Sequence, residues 1–276
     1  MSSAMSSAGA TVRASSARGY RLPDLWRYRG MVWSLVVRDL KVKYQRSVFG
    51  FLWTLLNPLL TVGLLVVVFQ HIVRIQVPDY WAFLISGYFV WNFLSQSLSS
   101  GAYIIASHGA LRRSVAFPSE VLVISAVVSR LVEFMLEMSL ALLAITVFHH
   151  HGAPASLLLL PVLVVIQLVM TVGLLMPIAA ASVFYTDVQH ALPIALLSLF
   201  YISPVFYPAT MVPEAVRQLY FVNPVAGLMT LFHTVLYEGR VPSFPLLAGT
   251  AAAACALFVV GYVIFKRYSP TFAELV

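Results

Sequence analysis

Six stretches of this sequence are so apolar, and carry so few charges, that no water-soluble core can house them. They run over about 51–71, 80–100, 119–148, 156–184, 190–207 and 245–265. A helix of about 20 mostly apolar residues crosses the hydrocarbon of a bilayer, and each stretch approaches or exceeds that length. Only 10% of the residues are charged and 61% are apolar, where an ordinary soluble domain is about 25% charged. A chain of 276 residues cannot hide that much apolar surface in water. Lipid offers a backbone no hydrogen bonds, so each span is expected to be helical. The expected fold is an all-α integral membrane protein with six transmembrane helices. The third and fourth are long enough to tilt or to project into water. Pro154, Pro161, Pro177 and Pro193 fall near helix ends or where a kink is tolerable.

The basic residues set the topology. Nine of the 17 Lys and Arg precede Phe51. Of the rest, Arg112 and Arg113 fall in the loop after the second span, and Lys266 and Arg267 follow the sixth. Arg74, Arg217 and Arg240 fall in the alternate loops. The positive-inside rule places both termini in the cytoplasm. Arg130 remains, within the third span; basic charge otherwise kept to the segments between spans explains the formal net charge of +7 without a nucleic-acid surface. The one cysteine, Cys255, excludes an intrachain disulfide and a cysteine metal cluster. Residues 1–28, Ser/Ala-rich at the start and without an apolar signal core, read as a disordered cytoplasmic tail.

Residues 30–49 read as an amphipathic helix lying in the membrane interface. At about 100° per residue, Trp33, Val36, Val37, Leu40, Tyr44 and Val48 share one face. Arg38, Asp39, Lys43 and Arg46 take the other, with Lys41 near the boundary. Gly50 permits a bend before the chain enters the membrane. Between the fifth and sixth spans, Pro204, Pro208, Pro213 and Pro224 break an apolar segment into pieces too short to cross. A short re-entrant helix pair fits there, and it must pack against protein or line a cavity.

Three stretches in order carry a resemblance. "RDLKVKYQRSVFGFLWTLLNPLL" resembles the N-terminal signature of the ABC-2 type permeases that export polysaccharides. "GYFVWNFLSQSLSSGAYIIASHGALRRSVAFPSEVLVIS" is similar to that family's second span and following loop. "FYTDVQHALPIALLSLFYISPVFYPATMVPEAVRQLYFVNPVAGLMTLFHTVLYEG" is similar to its fourth loop, fifth span and re-entrant pair. The match covers roughly 30–276, so 29–276 is taken as one ABC-2 type transmembrane domain. The resemblance implies a homodimer carrying two copies of a separate ATPase subunit in the bacterial cytoplasmic (inner) membrane. Its cargo would be a chain linked to an undecaprenyl-pyrophosphate-type lipid: O-antigen, capsule, teichoic acid or galactan. The chain departs from the family at Phe232-His233, where many members carry an Arg, and at Arg112-Arg113-Ser114.

No G-x-x-x-x-G-K-[ST] motif occurs, so the chain itself has no such cradle for ATP. ATP and Mg are expected on the partner, no cofactor or metal on this chain, and no enzymatic activity of its own. The loop 101–117 is the expected ATPase-coupling element, with Ser107, His108, Gly109, Arg112 and Arg113; the 185–190 stretch is a weaker candidate. Arg38, Lys41, Lys43, Tyr44 and Arg46 are the candidates to meet a lipid headgroup, basic groups attracting its phosphates. Trp53, Phe200, Tyr201, Phe206 and Tyr207 are the candidate pore aromatics, against packing or interfacial anchoring. Arg130, Glu133 and Glu137 share one face of the third span. Ionisable groups at depth are paired or water-facing, and an internal Arg130–Glu133 ion pair is the favoured role over a proton relay. The His149–His151 triplet reads as a solvated loop. Two other functions stay open: an ABC-2 exporter of a drug or small lipid, and a membrane-embedded polyprenyl-sugar transferase. The transferase needs clustered carboxylates, whereas Asp24, Asp39, Asp79, Asp187 and Glu238 are scattered.

Overall fold

A backbone in lipid must satisfy its polar groups within each segment, and the chain does so with helices. The computed structural model describes residues 26–45, 49–108, 117–149 and 152–272. Outside these lie 1–25, which is most of the expected tail, and Arg46, Gly109, Arg112, Arg113, His150 and His151. No strand occurs among the described residues.

Residues 26–28 form a 3-10 turn instead of tail and lead into α1 (Arg29–Tyr44). Gly50 then adopts φ 47°, a left-handed conformation that a side chain would strain. That is the expected bend. α2 (Trp53–Val66) ends in a wide π turn, Val67–Ile72. α3 (Tyr80–Gly101) and the short α4 (Ile104–Ser107) follow. α5 (Glu120–Ala144) ends in a second π turn, Ile145–His149. α6 (Leu160–Phe184) opens with Pro161 in its first turn, where an N–H would be orphaned anyway. Next come α7 (Asp187–Ile202), α8 (Glu214–Tyr220) and α9 (Pro224–Phe232), which runs on through a third π turn, His233–Tyr237. The last helix is α10 (Phe244–Tyr268).

Four helical segments are long and apolar enough to cross a membrane: Trp53–Ile72, Glu120–His149, Ala155–Phe184 and Phe244–Thr271. They match the first, third, fourth and sixth expected spans within a few residues, except that the last runs on past 265. The second, α3, has 22 residues. Its polar end, Ser95 to Ser100, lowers its hydropathy, because this helix packs against protein on most sides. It lies between α2, α5, α6 and α9, with Phe89, Val90 and Leu94 fully buried. The fifth expected span, 190–207, is corrected. Its helix runs from Asp187 and stops at Ile202. Ser203 is extended, with ψ 151°, because the residue before Pro204 avoids the helical region.

The broken segment after α7 is held at depth by side chains. Asn223 donates to the Ser203 hydroxyl at 2.9 Å and its carbonyl oxygen caps α9 at Val225 N–H. His233 Nε2 donates to the Pro204 carbonyl at 2.8 Å, its Nδ1 faces the Ser86 hydroxyl, and its ring stacks on Phe83. Gly87 makes room: a Cβ there would lie 2.6 Å from the His233 ring. From Asn223 the chain climbs to Tyr237, whose hydroxyl donates to the Pro78 carbonyl. There His149, expected in a solvated loop, is instead pinned between the Asp79 carboxylate (2.7 Å) and the Tyr237 carbonyl (3.0 Å), stacked on the Tyr237 ring.

α1 buries part of the expected face, with Val36 fully buried and Tyr44 bonded to Glu133, but not its start. Leu35 and Val36 turn inward and Asp39 and Lys43 face α5, whereas Trp33 is 62% exposed. One flank of the helix packs on α5, and the other, with Trp33, Lys41 and Gln45, is exposed.

α6 and α10 share the most extensive contact in the bundle. It rests on two glycines. A Cβ on Gly261 would lie 2.0 Å from the Gly173 carbonyl oxygen, and one on Gly173 would meet the Phe258 backbone at 2.5 Å. Gly261→Ala is therefore expected to destabilise the purified protein by about 1–3 kcal/mol through overpacking. Gly249→Ala, in the same helix with nothing within 4 Å, is expected to leave thermal unfolding in detergent unchanged or slightly raised. Equal midpoints for the two variants contradict this packing.

Candidate functional site

One carboxylate gathers four helices at the end of the bundle that carries α1. Arg130 and Glu133 lie three apart on α5, so they share a helix face, and Arg130 Nη1 donates to Glu133 Oε2 at 2.9 Å. Glu133 Oε1 accepts from Lys43 Nζ at 2.6 Å and from the Tyr44 hydroxyl at 2.7 Å, both on α1. The Tyr44 hydroxyl also lies 2.5 Å from Thr54 Oγ1 on α2. Arg130 Nε donates to Ser100 Oγ at 3.2 Å, at the end of α3. The Glu133 side chain is 10% exposed and that of Arg130 19%. The expected Arg130–Glu133 pair is present, and it is the centre of a larger knot.

The chemistry around it is crowded with positive charge. Burial, and after it the charge of Arg130, pushes the Lys43 ammonium below its ordinary value, against the pull of Glu133. Burial pushes the Tyr44 phenol up, so it serves as a donor near neutral pH. One turn further along α5, Glu137 accepts from Asn92 at 2.9 Å through Oε1, while its buried Oε2 has no partner among the described residues.

A second link joins α1 to α4. Arg38 contacts His108 Nε2 and also bonds Asp39 at 2.9 Å. The other ring nitrogen of His108, Nδ1, faces the Ile104 carbonyl at 2.9 Å. Between these two links opens a cleft of about 650 Å³, walled by α1, the end of α3, α4 and α5. Arg38, Lys43, Arg130, His108, Asp39 and Glu133 line it, with the hydroxyls of Ser100, Ser107 and Ser129. On the other side of α1 a hollow of about 610 Å³ is bounded by Trp33, Arg38, Lys41 and Val42.

The structure divides the residues singled out in the sequence. Arg38, Lys43 and Tyr44 meet at or beside the cleft; Lys43 is held by Glu133 rather than lying on a free polar face. Lys41 is exposed on the opposite side of α1. Ser107 and His108 join the cleft. Phe200, Tyr201, Phe206 and Tyr207 form one aromatic cluster around Phe206, whose ring centre lies 4.7 Å from Phe69 and 5.0 Å from Tyr207. Tyr201 is 57% exposed. Trp53 does not belong to it. It sits at the other end of α2 from Phe69, about 24 Å along the axis at 1.5 Å per residue, with its ring edge-on to Phe49 at 5.6 Å. Thr54, Ser100 and Ser129 were not singled out, since single hydroxyls in apolar helices carry no pattern.

Glu133→Ala leaves Arg130 without its carboxylate in a largely buried place. It is expected to cost about 3 kcal/mol in denaturant unfolding in detergent. Lys43→Ala removes a side chain that is 41% exposed and is expected to cost about 1 kcal/mol or less. The reverse order contradicts a structure centred on Glu133.

Comparison with known proteins agrees with this architecture. The family described as "ABC-2 type transporter" matches residues 31–237. The chain is 36% identical over 253 residues to the O-antigen export system permease protein RfbA of Myxococcus xanthus, covering 91% of this chain and 97% of that one. It is 26% identical over 238 residues to the protein of the same name from Klebsiella pneumoniae, covering 86% and 92%. It is 20% identical over 238 residues to the polysialic acid transport protein KpsM of Escherichia coli, covering 84% and 91%. With a family match over most of its length and a relative above 30% identity spanning nearly all of it, this chain belongs to the ABC-2 type transporter family.

Proposed function

We propose that this chain is the permease subunit of an exporter that carries a lipid-linked polysaccharide across the bacterial inner membrane, driven by ATP hydrolysis on separate subunits. The observation that carries the reading is the 36% identity, over 91% of this chain, to a permease named for O-antigen export. The lack of a phosphate-cradling motif supports an external motor.

In this reading α2, α3, α5, α6 and α10 cross the membrane, α7 makes a sixth crossing together with the irregular chain after Ile202, and α8 and α9 form a re-entrant pair. The pair fits because α9 with its π turn covers 14 residues, Pro224–Tyr237. At about 21 Å it is too short for a bilayer core of about 30 Å. Six crossings put both termini on one side, and the distribution of Lys and Arg makes that side cytoplasmic. The Lys266–Glu120 bond of 2.6 Å supports it, tying the end of α10 to the start of α5 at the α1 end of the bundle.

Two copies would enclose a conduit. The glycan would slide over aromatic rings, with Tyr201, Tyr207 and neighbours as one belt and Trp53 as a separate contact nearer the cytoplasm. α4 and the residues after it would receive the motion of the ATPase, and the Arg38–His108 contact would pass it to α1. Lys41 and Arg46 would attract the headgroup phosphates at the membrane surface.

The test is export in a host lacking its own permease and supplied with this chain and its ATPase subunit. The wild-type chain is expected to restore surface polysaccharide. Each basic residue near an anionic surface contributes about 1 kcal/mol, so Lys41→Gln with Arg46→Gln is expected to lower export at limiting substrate by about 30-fold at equal expression. Export of a hydrophobic drug in place of polysaccharide, or export without the ATPase, overturns the reading.

A further inference from the structure

The cleft between α1 and α5 holds more positive charge than its own carboxylates satisfy. Three cations face it, Arg38, Lys43 and Arg130, against Asp39 and Glu133, with His108 beside them. Their donors are only partly used. Among the described residues Arg130 gives one N–H to Glu133 and one to Ser100, out of five. Lys43 gives one to Glu133, out of three. Hydroxyls of Ser100, Ser107 and Ser129 stand on the same walls. This is the chemistry that receives a phosphate: a guanidinium able to bind two oxygens at once, an ammonium, and small neutral donors. Val42 is 69% exposed and lines both this cleft and the hollow beside Trp33. Val42 and Arg38 are shared by the two, so the charged interior opens beside an exposed apolar side chain on α1, as an amphiphile requires.

We propose that this cleft is a binding site for the phosphate or diphosphate of a lipid headgroup, which enters by displacing Glu133 from Lys43 and Arg130. The proposal rests on the reading that α1 is where a phosphate-bearing substrate arrives, and it moves the contact from the surface of α1 to the cleft behind it. Glu133 is then a built-in competitor, holding the cations in place until a better anion comes. Its departure loosens the bond between α1 and α5, so arrival of the headgroup frees the interface helix to move.

The purified full chain in phosphatidylcholine nanodiscs, with radiolabelled farnesyl diphosphate as probe and farnesol as the phosphate-free control, tests this. Arg130→Gln is expected to weaken binding about tenfold, the loss of a charge-assisted hydrogen bond. Glu133→Gln is expected to tighten it several-fold, an outcome that a merely structural role for Glu133 does not produce. Ser129→Asp, which adds a carboxylate to the wall, is expected to weaken binding about tenfold and decides the matter if Glu133→Gln does not fold. Unchanged affinity in Ser129→Asp, weaker binding in a folded Glu133→Gln, or equal binding of farnesol overturns the proposal. Competition by inorganic pyrophosphate, and separately by nanodiscs containing phosphatidylglycerol, identifies the source of the phosphate. Displacement by pyrophosphate alone marks a soluble anion, displacement by phosphatidylglycerol a bilayer lipid, and resistance to both a polyprenyl diphosphate. The first overturns the assignment to a lipid headgroup, and the other two support it. If Ser129→Asp binds normally while Lys41→Gln with Arg46→Gln lowers export, the cleft fails and the exporter reading survives. If the wild-type chain restores no polysaccharide export, the exporter reading fails and the binding data still judge the cleft.

Discussion

The carboxylate of Glu133 is the interaction on which the α1 end of this protein depends. A charge at the edge of the hydrocarbon persists only when partners replace its lost water. Glu133 has three donors, from Lys43, Tyr44 and Arg130, and each belongs to or reaches a different part of the chain. Without them α1 has only Leu35, Val36 and their neighbours to hold it against α5. A helix lying along a membrane surface has no reason to keep one azimuth; the ion pairs supply one. They also explain why a charged residue, Lys43, stands beside the buried Leu35 and Val36 on the side of α1 that meets α5.

Much of the fold was legible in the sequence because lipid imposes such strict rules. Long apolar runs had to be helices, Gly50 had to bend, and Arg130 with Glu133 had to find partners. The misreadings share one cause: the physical environment of a residue is set by what comes to lie beside it. The apolar arc of α1 was assigned from periodicity alone, and periodicity does not distinguish a lipid-facing stripe from a protein-facing one. The fifth run looked continuous through Tyr207 because Ser203, Val205 and Phe206 are tolerable in a helix, yet Pro204 ended it at Ile202. His149 looked solvated because its neighbours are polar; its partners, Asp79 and Tyr237, are 70 and 88 residues away.

The candidate site was half visible. Lys43 and Tyr44 stood out as polar groups beside a span, and Arg130 and Glu133 as ionisable groups within one. Nothing in the one-dimensional chain joins the two sets, which are separated by about 90 positions. His233 is the comparable case in the opposite half. It stood out only as a departure from a family pattern, and its work is to receive Ser86 and to satisfy a proline carbonyl that no helix can reach.

The early stop of α7 has a consequence for where water can go. At 16 residues this helix measures about 24 Å, shorter than the hydrocarbon slab it would have to cross. The chain after Ile202 is irregular; beside its own turn bonds, His233 satisfies the Pro204 carbonyl and Tyr80 that of Phe206. Irregular backbone of this kind survives in a membrane only against protein or water. The helix thus ends beside Phe200 and Tyr201, where the aromatic rings gather, and the chain beyond them must be covered by protein or water, because lipid cannot satisfy it.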